Sequence, residues 1–215
     1  RAFCKPLGYP GDFMLMNYIY SPGFEGPNLY ARCVHRAAAT TPGGEAVLSR
    51  KRYFMDRLLE HVAEKHADKK VARVAAIASG PAQELVDFVQ AYPQDQGRTE
   101  VVLFDQDKRA LSQASSTVTR TLREQRREDI TITCVHDSIK TLFKGEGVLS
   151  QLEPFDLIYA AGLFDYLPRE LAQVLCGRLY QFLRPGGHLY IGNFSDYNPT
   201  RWGMEHLGDW YLIHR

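Results

Sequence analysis

The sequence predicts an α/β fold with a doubly wound, mostly parallel, Rossmann-like sheet and an N-terminal helical appendage. From residue 71 onward, apolar strand-like runs alternate with helix-like segments, which calls for a mostly parallel sheet with right-handed crossovers. The first run, 71–77, leads through the small residues of 78–82 into a helix start. That is the order of first strand, ligand-binding turn and first helix in such sheets.

Composition bounds the class of protein. The 215 residues are 45% hydrophobic and 24% charged, enough for one domain with a sizeable core plus a small appendage. The formal net charge of +1 gives no basic footprint, so we expect no nucleic-acid partner. Because no apolar run reaches about 18 residues, we expect no stable membrane association.

The cysteines bear on compartment and metal binding. Cys4, Cys33, Cys134 and Cys176 form no C-x-x-C pair, which argues against a zinc site and a dense disulfide framework. We therefore expect reduced thiols, a cytoplasmic location and no metal. Since the chain opens on Arg1 and stops without a terminal turn, we also expect it to be a piece of a longer polypeptide.

Residues 1–70 carry helical patterns and no convincing strand. Asp12 is placed to cap a short helix over 13–20, and a second helix is expected over 28–40. A third opens at 41–44 and carries an apolar stripe that must pack on something. We predict that residues 1–70 form a helical lid or substrate appendage over a domain of residues 71–215. The stripe consists of Val47, Phe54, Leu58 and Val62.

The second domain is expected to hold five strands. Pro81 is predicted at the first helical position after the first strand, and residues 184–187 are predicted to form a tight turn before the fifth. The segment 201–215 is expected to be helical or irregular. The later strands are predicted over 100–105, 130–135, 155–162 and 188–194, with helices beginning near 107 and 168.

In open α/β sheets the ligand lies outside the carboxyl ends of the strands. Asp105 closes the second strand, where a carboxylate can accept hydrogen bonds from both hydroxyls of a ribose. Asp137 follows the third and could accept from the exocyclic amine of an adenine. Either residue could instead merely cap the next helix, but Asp107 is the better cap of its helix and would leave Asp105 free.

Two cofactors compete for such a site. Nicotinamide dinucleotides usually require G-x-G-x-x-G, and here Ala78, Gly80 and Gln83 hold those places, which disfavours a reductase without excluding it. S-adenosylmethionine needs a ribose carboxylate, an adenine contact and a short glycine turn, and the sequence offers all three.

From residue 71 to 194 the chain resembles class I S-adenosylmethionine-dependent methyltransferases. The likeness lies in the turn 76–82, the strand 101–105 and the turn 183–189. It implies S-adenosylmethionine as cofactor and S-adenosylhomocysteine as product. The cofactor-binding residues that the resemblance implies are Ala78, Ser79, Gly80, Asp105, Gln106, Asp137, Ser138, Ala160 and Gly162.

The chain departs from that family in two places. The family turn usually begins with an acidic residue, and this sequence has Ala76 there. Glu84 could supply the missing carboxylate, or it could simply complement the helix dipole. The family sheet also usually ends in an antiparallel hairpin, whereas five strands are visible here. We therefore predict that a second copy of the chain or a missing C-terminal segment covers the sheet edge.

Segments 5–12 and 160–167 are similar to a narrower bacterial group, the extracellular-factor, 3-hydroxypalmitic acid methyl ester biosynthesis proteins. That resemblance implies a small-molecule acceptor, possibly the carboxylate of a hydroxy fatty acid or a related acyl compound. An already anionic acceptor needs little general base. A non-catalytic cofactor-binding sensor with the same fold is the alternative.

Catalytic residues are harder to choose. A hydroxyl or amine acceptor would need a base, for which Asp165, Asp12 and His136 are candidates, and Tyr166 is a further catalytic candidate. Aromatic side chains could wall the pocket and face the sulfonium, although each could equally pack the appendage on the sheet. The residues expected to form the substrate site or lid are Tyr9, Tyr18, Tyr20, Phe164 and Asn193.

Overall fold

The computed structural model describes residues 2–215 and contains a five-stranded, all-parallel sheet. In chain order the strands are β1 (Ala72–Ile77), β2 (Thr99–Asp105), β3 (Ile130–His136), β4 (Phe155–Ala160) and β5 (Leu183–Ile191). They lie in the order β3-β2-β1-β4-β5, with the switch in strand order between β1 and β4. The predicted doubly wound, Rossmann-like fold is confirmed.

Helices precede and connect the strands, and side-chain caps set several of their starts. Asp12 accepts a 2.8 Å hydrogen bond from the Leu15 amide, and Thr41 accepts one of 3.3 Å from the Gly44 amide, as N-cap residues do. The helices are α1 (Phe13–Tyr20), α2 (Leu29–Ala39), α3 (Pro42–Ala67), α4 (Gln83–Ala91), α5 (Lys108–Glu124), α6 (Ile139–Lys144), α7 (Arg169–Gln181) and α8 (Arg201–Gly208).

Alternate strand residues face two apolar cores. On one face, Val74 of β1 belongs to a cluster with Phe54 and Leu58 of α3 and with residues of α4 and α5. On the other face, Ile77 belongs to a cluster with Leu175 of α7 and with residues of α6. Because β1 is buried on both faces, its sequence is a continuous apolar run.

The N-terminal helices pack on the sheet and on the C-terminal segment. Most of the apolar stripe of α3 is buried in the first core, but Val47 belongs to a third cluster. In that cluster Met16 and Ile19 of α1 pack with Met204 and Leu212 near the end of the chain. Whether residues 1–70 form a lid domain separate from residues 71–215 stays a prediction, and residue 1 lies outside the described part.

The sequence placed a tight turn at 184–187, but these residues lie inside β5 as a bulge. Phe155 pairs with Leu183 and Leu157 with His188, so two steps along β4 (157 − 155) match five along β5 (188 − 183). A glycine within the bulge has a φ of +77°, which allows the extra residues to leave the ladder. β5 therefore begins earlier than predicted and ends at residue 191.

The first helix after β1 also starts later than predicted. Pro81 is not its first residue, because Ala82 has a left-handed φ of +49° and α4 begins at Gln83. A left-handed residue cannot continue into a right-handed helix, so the turn is longer than the sequence pattern indicated.

The outer edge of β5 carries no paired strand within residues 2–215. Its coverage by a second copy or by a C-terminal segment stays a prediction. The segment 201–215 is α8 followed by irregular chain, as expected. In the same described residues, no helix combines the length and apolar character needed to cross a bilayer.

Candidate functional site

The turn between β1 and α4, residues 78–82, forms the floor of the site. Ala78, Gly80 and Ala82 all have left-handed φ angles, of +51°, +53° and +49°. The Ser79 amide donates a 3.1 Å hydrogen bond to the Phe104 carbonyl oxygen of β2, which fixes the turn against the sheet. A side chain on Gly80 would meet no atom within 4 Å, so the backbone is open to a ligand there.

Asp105 ends β2, and two backbone amides hold its carboxylate. Oδ2 accepts a hydrogen bond from the Gly80 amide and Oδ1 accepts one from the Asp107 amide, both at 2.9 Å. Asp107 does cap α5, but Asp105 is not free as the sequence suggested. Burial raises its pKa, and the two amides oppose the rise. Each carboxylate oxygen keeps a second lone pair for a hydroxyl in the cleft.

Asp137 follows β3, the next strand outward from β2. Its Oδ1 accepts a 2.7 Å hydrogen bond from the Ser138 amide, and the Ser138 side chain caps α6. Asp137 is half-buried, which leaves part of its carboxylate accessible. His136 ends β3 with its Nε2 3.2 Å from the Gln106 carbonyl oxygen. The ends of β2 and β3 therefore supply one carboxylate each to the same side of the sheet.

Both aspartates line one cavity of about 1030 Å³, which we call the main cleft. It lies at the carboxyl ends of β1, β2, β3 and β4, where ligands bind in open α/β sheets. Of the predicted site residues, those that line it are Tyr9, Tyr20, Ala78, Ser79, Gly80, Asp105, Gln106, His136, Asp137, Ser138, Gly162, Asp165 and Tyr166.

Five predicted site residues lie outside the main cleft. Ala160 and Phe164 are buried in the core on the α7 side of the sheet. Tyr18 packs edge-on against a histidine of α2, with ring centroids 5.0 Å apart. Asn193 lines a smaller, second cavity and bonds to the last residues of the chain. Asp12 is fully buried and caps α1.

Three catalytic candidates line the cleft, His136, Asp165 and Tyr166, and besides the His136 contact given above, Asp165 and Tyr166 already have hydrogen-bond partners. Asp165 Oδ1 accepts from the Phe194 amide at 2.7 Å, and Oδ2 accepts from Arg50 Nη1 at 3.2 Å. Burial raises the pKa of Asp165, and Arg50 opposes this rise. The Tyr166 hydroxyl oxygen accepts from Trp210 Nε1 at 3.0 Å, and burial raises the Tyr166 pKa to about 12. Tyr166 is therefore protonated at neutral pH.

Arg50 is a cleft residue that was not predicted as part of the site. Its charge alone would place it on the polar side of α3. It lies three residues after Val47 and four before Phe54, however, and this helical spacing puts it on the buried stripe. Its guanidinium carbon is 5.9 Å from the centroid of the Phe194 ring. The spacing within α3 is the pattern that would have revealed it.

An apolar wall of the cleft was also missed. Its residues come from the N-terminal segment, the loop after β4 and the C-terminal segment, and no local sequence pattern brings these together. They are Leu7, Phe13, Met16, Leu163, Leu167, Phe194 and Trp210.

In comparisons with known proteins, the chain is similar to several solved structures. No family model matches the chain, and no curated protein matches it. It is similar over 98% of its length to an O-methyltransferase family protein from Burkholderia thailandensis, with 14% identity, 64% of that chain covered and a TM-score of 0.49.

Two further likenesses are to structures that contain S-adenosyl-L-homocysteine. One is an S-adenosylmethionine-dependent methyltransferase from Geobacter sulfurreducens, with 16% identity, 69% and 53% of the two chains covered and a TM-score of 0.42. The other is a Plasmodium falciparum protein described as a protein-L-isoaspartate O-methyltransferase, with 19% identity, 72% and 61% covered and a TM-score of 0.41. The chain spans less than two thirds of the length of these three proteins.

Proposed function

We propose that the chain is an S-adenosylmethionine-dependent methyltransferase of the class I type that acts on a small-molecule acceptor. The observation that carries the proposal is the convergence of the turn 78–82, Asp105 and Asp137 on one cleft. In this proposal Asp105 accepts hydrogen bonds from the ribose hydroxyls and Asp137 accepts one from the adenine amine. S-adenosylhomocysteine leaves as the product.

The size and lining of the cleft support two ligands side by side. Its volume of about 1030 Å³ matches the upper end of the roughly 300–1,000 Å³ range of small-molecule pockets. The carboxylates of Asp105 and Asp137 lie at the ends of β2 and β3, whereas Leu7, Phe13 and Trp210 of the apolar wall come from the terminal segments of the chain. An acceptor with an apolar body fits that wall, and the aromatic rings suit a neighbouring sulfonium cation.

For the acceptor group we favour a carboxylate, such as that of a hydroxy fatty acid or a related acyl compound. Methyl transfer is an in-line displacement: an acceptor oxygen lone pair forms the new C–O bond while the S–C bond breaks and its electrons return to sulfur. The acceptor must lie about 3–3.5 Å from the methyl carbon. A carboxylate has no proton to lose, which suits a cleft where Asp165 already accepts from Arg50 and the Phe194 amide.

A non-catalytic cofactor-binding sensor is the second candidate. The observation that favours it is the same engagement of the acid–base candidates, together with Ala76 at a place where methyltransferases usually have a carboxylate. The sensor and the enzyme share the cofactor site and differ in turnover.

The cofactor site is tested by calorimetric titration with S-adenosylhomocysteine. We expect binding to the unmodified chain and a loss of at least about tenfold in Asp105→Ala, because the variant removes charged hydrogen-bond acceptors from a buried site. Asp68→Ala, which removes an exposed carboxylate outside the cleft, is the matched control. Equal binding by both variants contradicts the assignment of Asp105.

Turnover is tested with S-adenosylmethionine that carries a labelled methyl group. Transfer of label to a 3-hydroxy fatty acid, converted to a base-labile ester, is the expected result. Cofactor binding without label transfer to that acid or to any small-molecule extract supports the sensor instead. Binding of NAD in place of S-adenosylhomocysteine overturns both.

A further inference from the structure

A cation, a carboxylate and a hydroxyl line the main cleft beside the turn 78–82. They are Arg50 of α3, Glu84 of α4 and Ser79 of the turn itself. The Arg50 side chain is 16% exposed, Glu84 is 4% exposed and Ser79 is 9% exposed. Opposite charges that are buried at one cavity wall are costly to desolvate, so each needs a partner that the fold or a ligand supplies.

The fold satisfies the Arg50 guanidinium only in part. Nη1 donates to Asp165, whereas Nε is buried and has no hydrogen-bond partner within residues 2–215. Glycines make room for the side chain: a Cβ on Gly162 would lie 3.4 Å from Arg50 Nη2, and one on Gly192 would lie 2.9 Å from Cδ. A buried guanidinium donor without an acceptor is costly, and an anion in the cleft would satisfy it.

Ser79 presents a second unsatisfied donor. Its hydroxyl oxygen is buried and has no hydrogen-bond partner in the described chain, although its amide donates into the sheet. The side chain lies between Ala78 and Gly80, where the backbone is open to the cleft. Because Ser79 and Arg50 line the same cleft, a ligand oxygen that binds there can accept a hydrogen bond from this hydroxyl.

Glu84 is a buried carboxylate whose hydrogen-bond partner is a neutral phenol. Oε1 accepts from the Tyr159 hydroxyl at 2.8 Å. The half-buried Tyr20 hydroxyl lies near both charges: Glu84 raises the Tyr20 pKa, and Arg50 lowers it through its charge and a side-chain hydrogen bond. Burial raises the pKa of Glu84 itself, and the charge of Arg50 opposes this rise. A cationic ligand group beside Glu84 would supply the charge that the two phenols do not.

This inference deepens the proposed function and rests on it. We infer that Arg50, Ser79 and Glu84 form the subsite for the α-amino-acid group of S-adenosylmethionine. Arg50 and the Ser79 hydroxyl donate hydrogen bonds to the α-carboxylate, and Glu84 accepts from the α-ammonium. A zwitterion matches this pair of opposite charges. In this assignment Glu84 supplies the carboxylate that methyltransferases usually carry at the position of Ala76.

The test compares two ligands that differ in the amino-acid group. S-adenosylhomocysteine carries it, and 5′-methylthioadenosine has the same nucleoside without it. In calorimetric titrations we expect Arg50→Met and Glu84→Gln each to weaken S-adenosylhomocysteine by about 10- to 100-fold, the range for loss of a charged hydrogen bond. Both variants should bind 5′-methylthioadenosine within about twofold of the unmodified chain, because its contacts lie elsewhere.

The chain offers a matched pair of controls. Lys51 and Asp87 lie on the same two helices, one and three residues away, form an ion pair and do not line the cleft. Lys51→Met and Asp87→Asn should leave both affinities unchanged. Glu84→Gln keeps an oxygen that can accept from Tyr159, and thermal unfolding of each variant checks that it folds.

A ligand-side change covers the case in which a variant fails to fold. S-adenosylhomocysteine without its α-amino group should bind the unmodified chain more weakly than the parent compound, and Glu84→Gln should abolish that difference. The inference is overturned if both ligands weaken in parallel or if the deaminated ligand binds as tightly as the parent. Failure of the unmodified chain to bind either nucleoside overturns the proposed function instead.

Discussion

Ala78 and Ala82 hold backbone angles that glycine adopts without strain. For an alanine the left-handed region costs roughly 1–2 kcal/mol, because the Cβ crowds the carbonyl oxygen that follows it. Ala78 lines the main cleft, whereas Ala82 is fully buried in the core. The methyl group of Ala82 therefore contributes packing that offsets its strain, whereas half-buried Ala78 gains less.

We expect Ala78→Gly to raise the free energy of unfolding by up to about 1 kcal/mol, since relief of strain exceeds the entropy that glycine loses on folding. Urea denaturation measures it. Ala76→Gly in β1 is the control: the residue is 0% exposed and not left-handed, so it should lower stability by about 1–2 kcal/mol. Equal destabilisation by both variants would show that the turn is unstrained in solution.

Single residues of the site were predictable where their position follows from chain order alone. Asp105 and Asp137 were found because parallel strands bring their carboxyl ends to one edge. Trp210 was missed because its place in the cleft depends on how distant segments pack, whereas the spacing of Arg50 within α3 did indicate the buried stripe. The engagement of Asp105 by the Gly80 amide is a three-dimensional contact too, and no sequence pattern reports it.

At the scale of elements, residues 2–12 form a strap across the cleft. Leu7, Tyr9 and Gly11 line it, and Lys5 forms an ion pair with Asp209 near the end of the chain. The Gly11 backbone lies so close to Tyr166 that a Cβ there would overlap its hydroxyl. The strap therefore depends on a glycine for steric space and not for a left-handed angle.

We expect Gly11→Ala to lower the free energy of unfolding by about 1–3 kcal/mol and to speed amide exchange over residues 2–12, because the added methyl displaces Tyr166. Gly177→Ala is the control, since Gly177 is exposed within α7 with no atom near its would-be Cβ. That substitution should raise stability by about 1 kcal/mol through helix propensity. Unchanged exchange over the strap in Gly11→Ala would contradict the close packing.

The sequence predicted strands correctly where both faces of the strand are buried, and helices correctly where a capping residue precedes them. β1, β2 and β4 are covered on both faces and appear as apolar runs, and capping residues marked the starts of α1, α3 and α5. The β5 bulge was not predictable, because its Pro and Gly residues are the same ones that make a turn. Only the register against β4 distinguishes the two.

At the scale of the whole molecule, the cleft concentrates buried carboxyl groups. Burial raises the pKa of Glu84, Asp105 and Asp165. Between its unfolded and folded pKa, each such group binds more protons in the folded state than in the unfolded state. The free energy of unfolding therefore falls as pH rises through that window, and the stability cost is fully present above the folded pKa. A cofactor whose ammonium pairs with Glu84 would offset part of this stability cost.

Glu84→Gln removes one of these groups, so its stability relative to the unmodified chain should rise with pH. The rise begins near pH 4.5, the ordinary pKa of a glutamate, and levels off above the raised pKa of Glu84 in the folded chain. Urea denaturation at a series of pH values measures the difference. Asp68→Asn should show the opposite slope, confined to pH values below about 3.8, because Lys70 lowers the pKa of that exposed carboxyl. A flat difference for Glu84→Gln from pH 4.5 to 8 would mean that the carboxyl is solvated in the free protein and that the cleft opens around it.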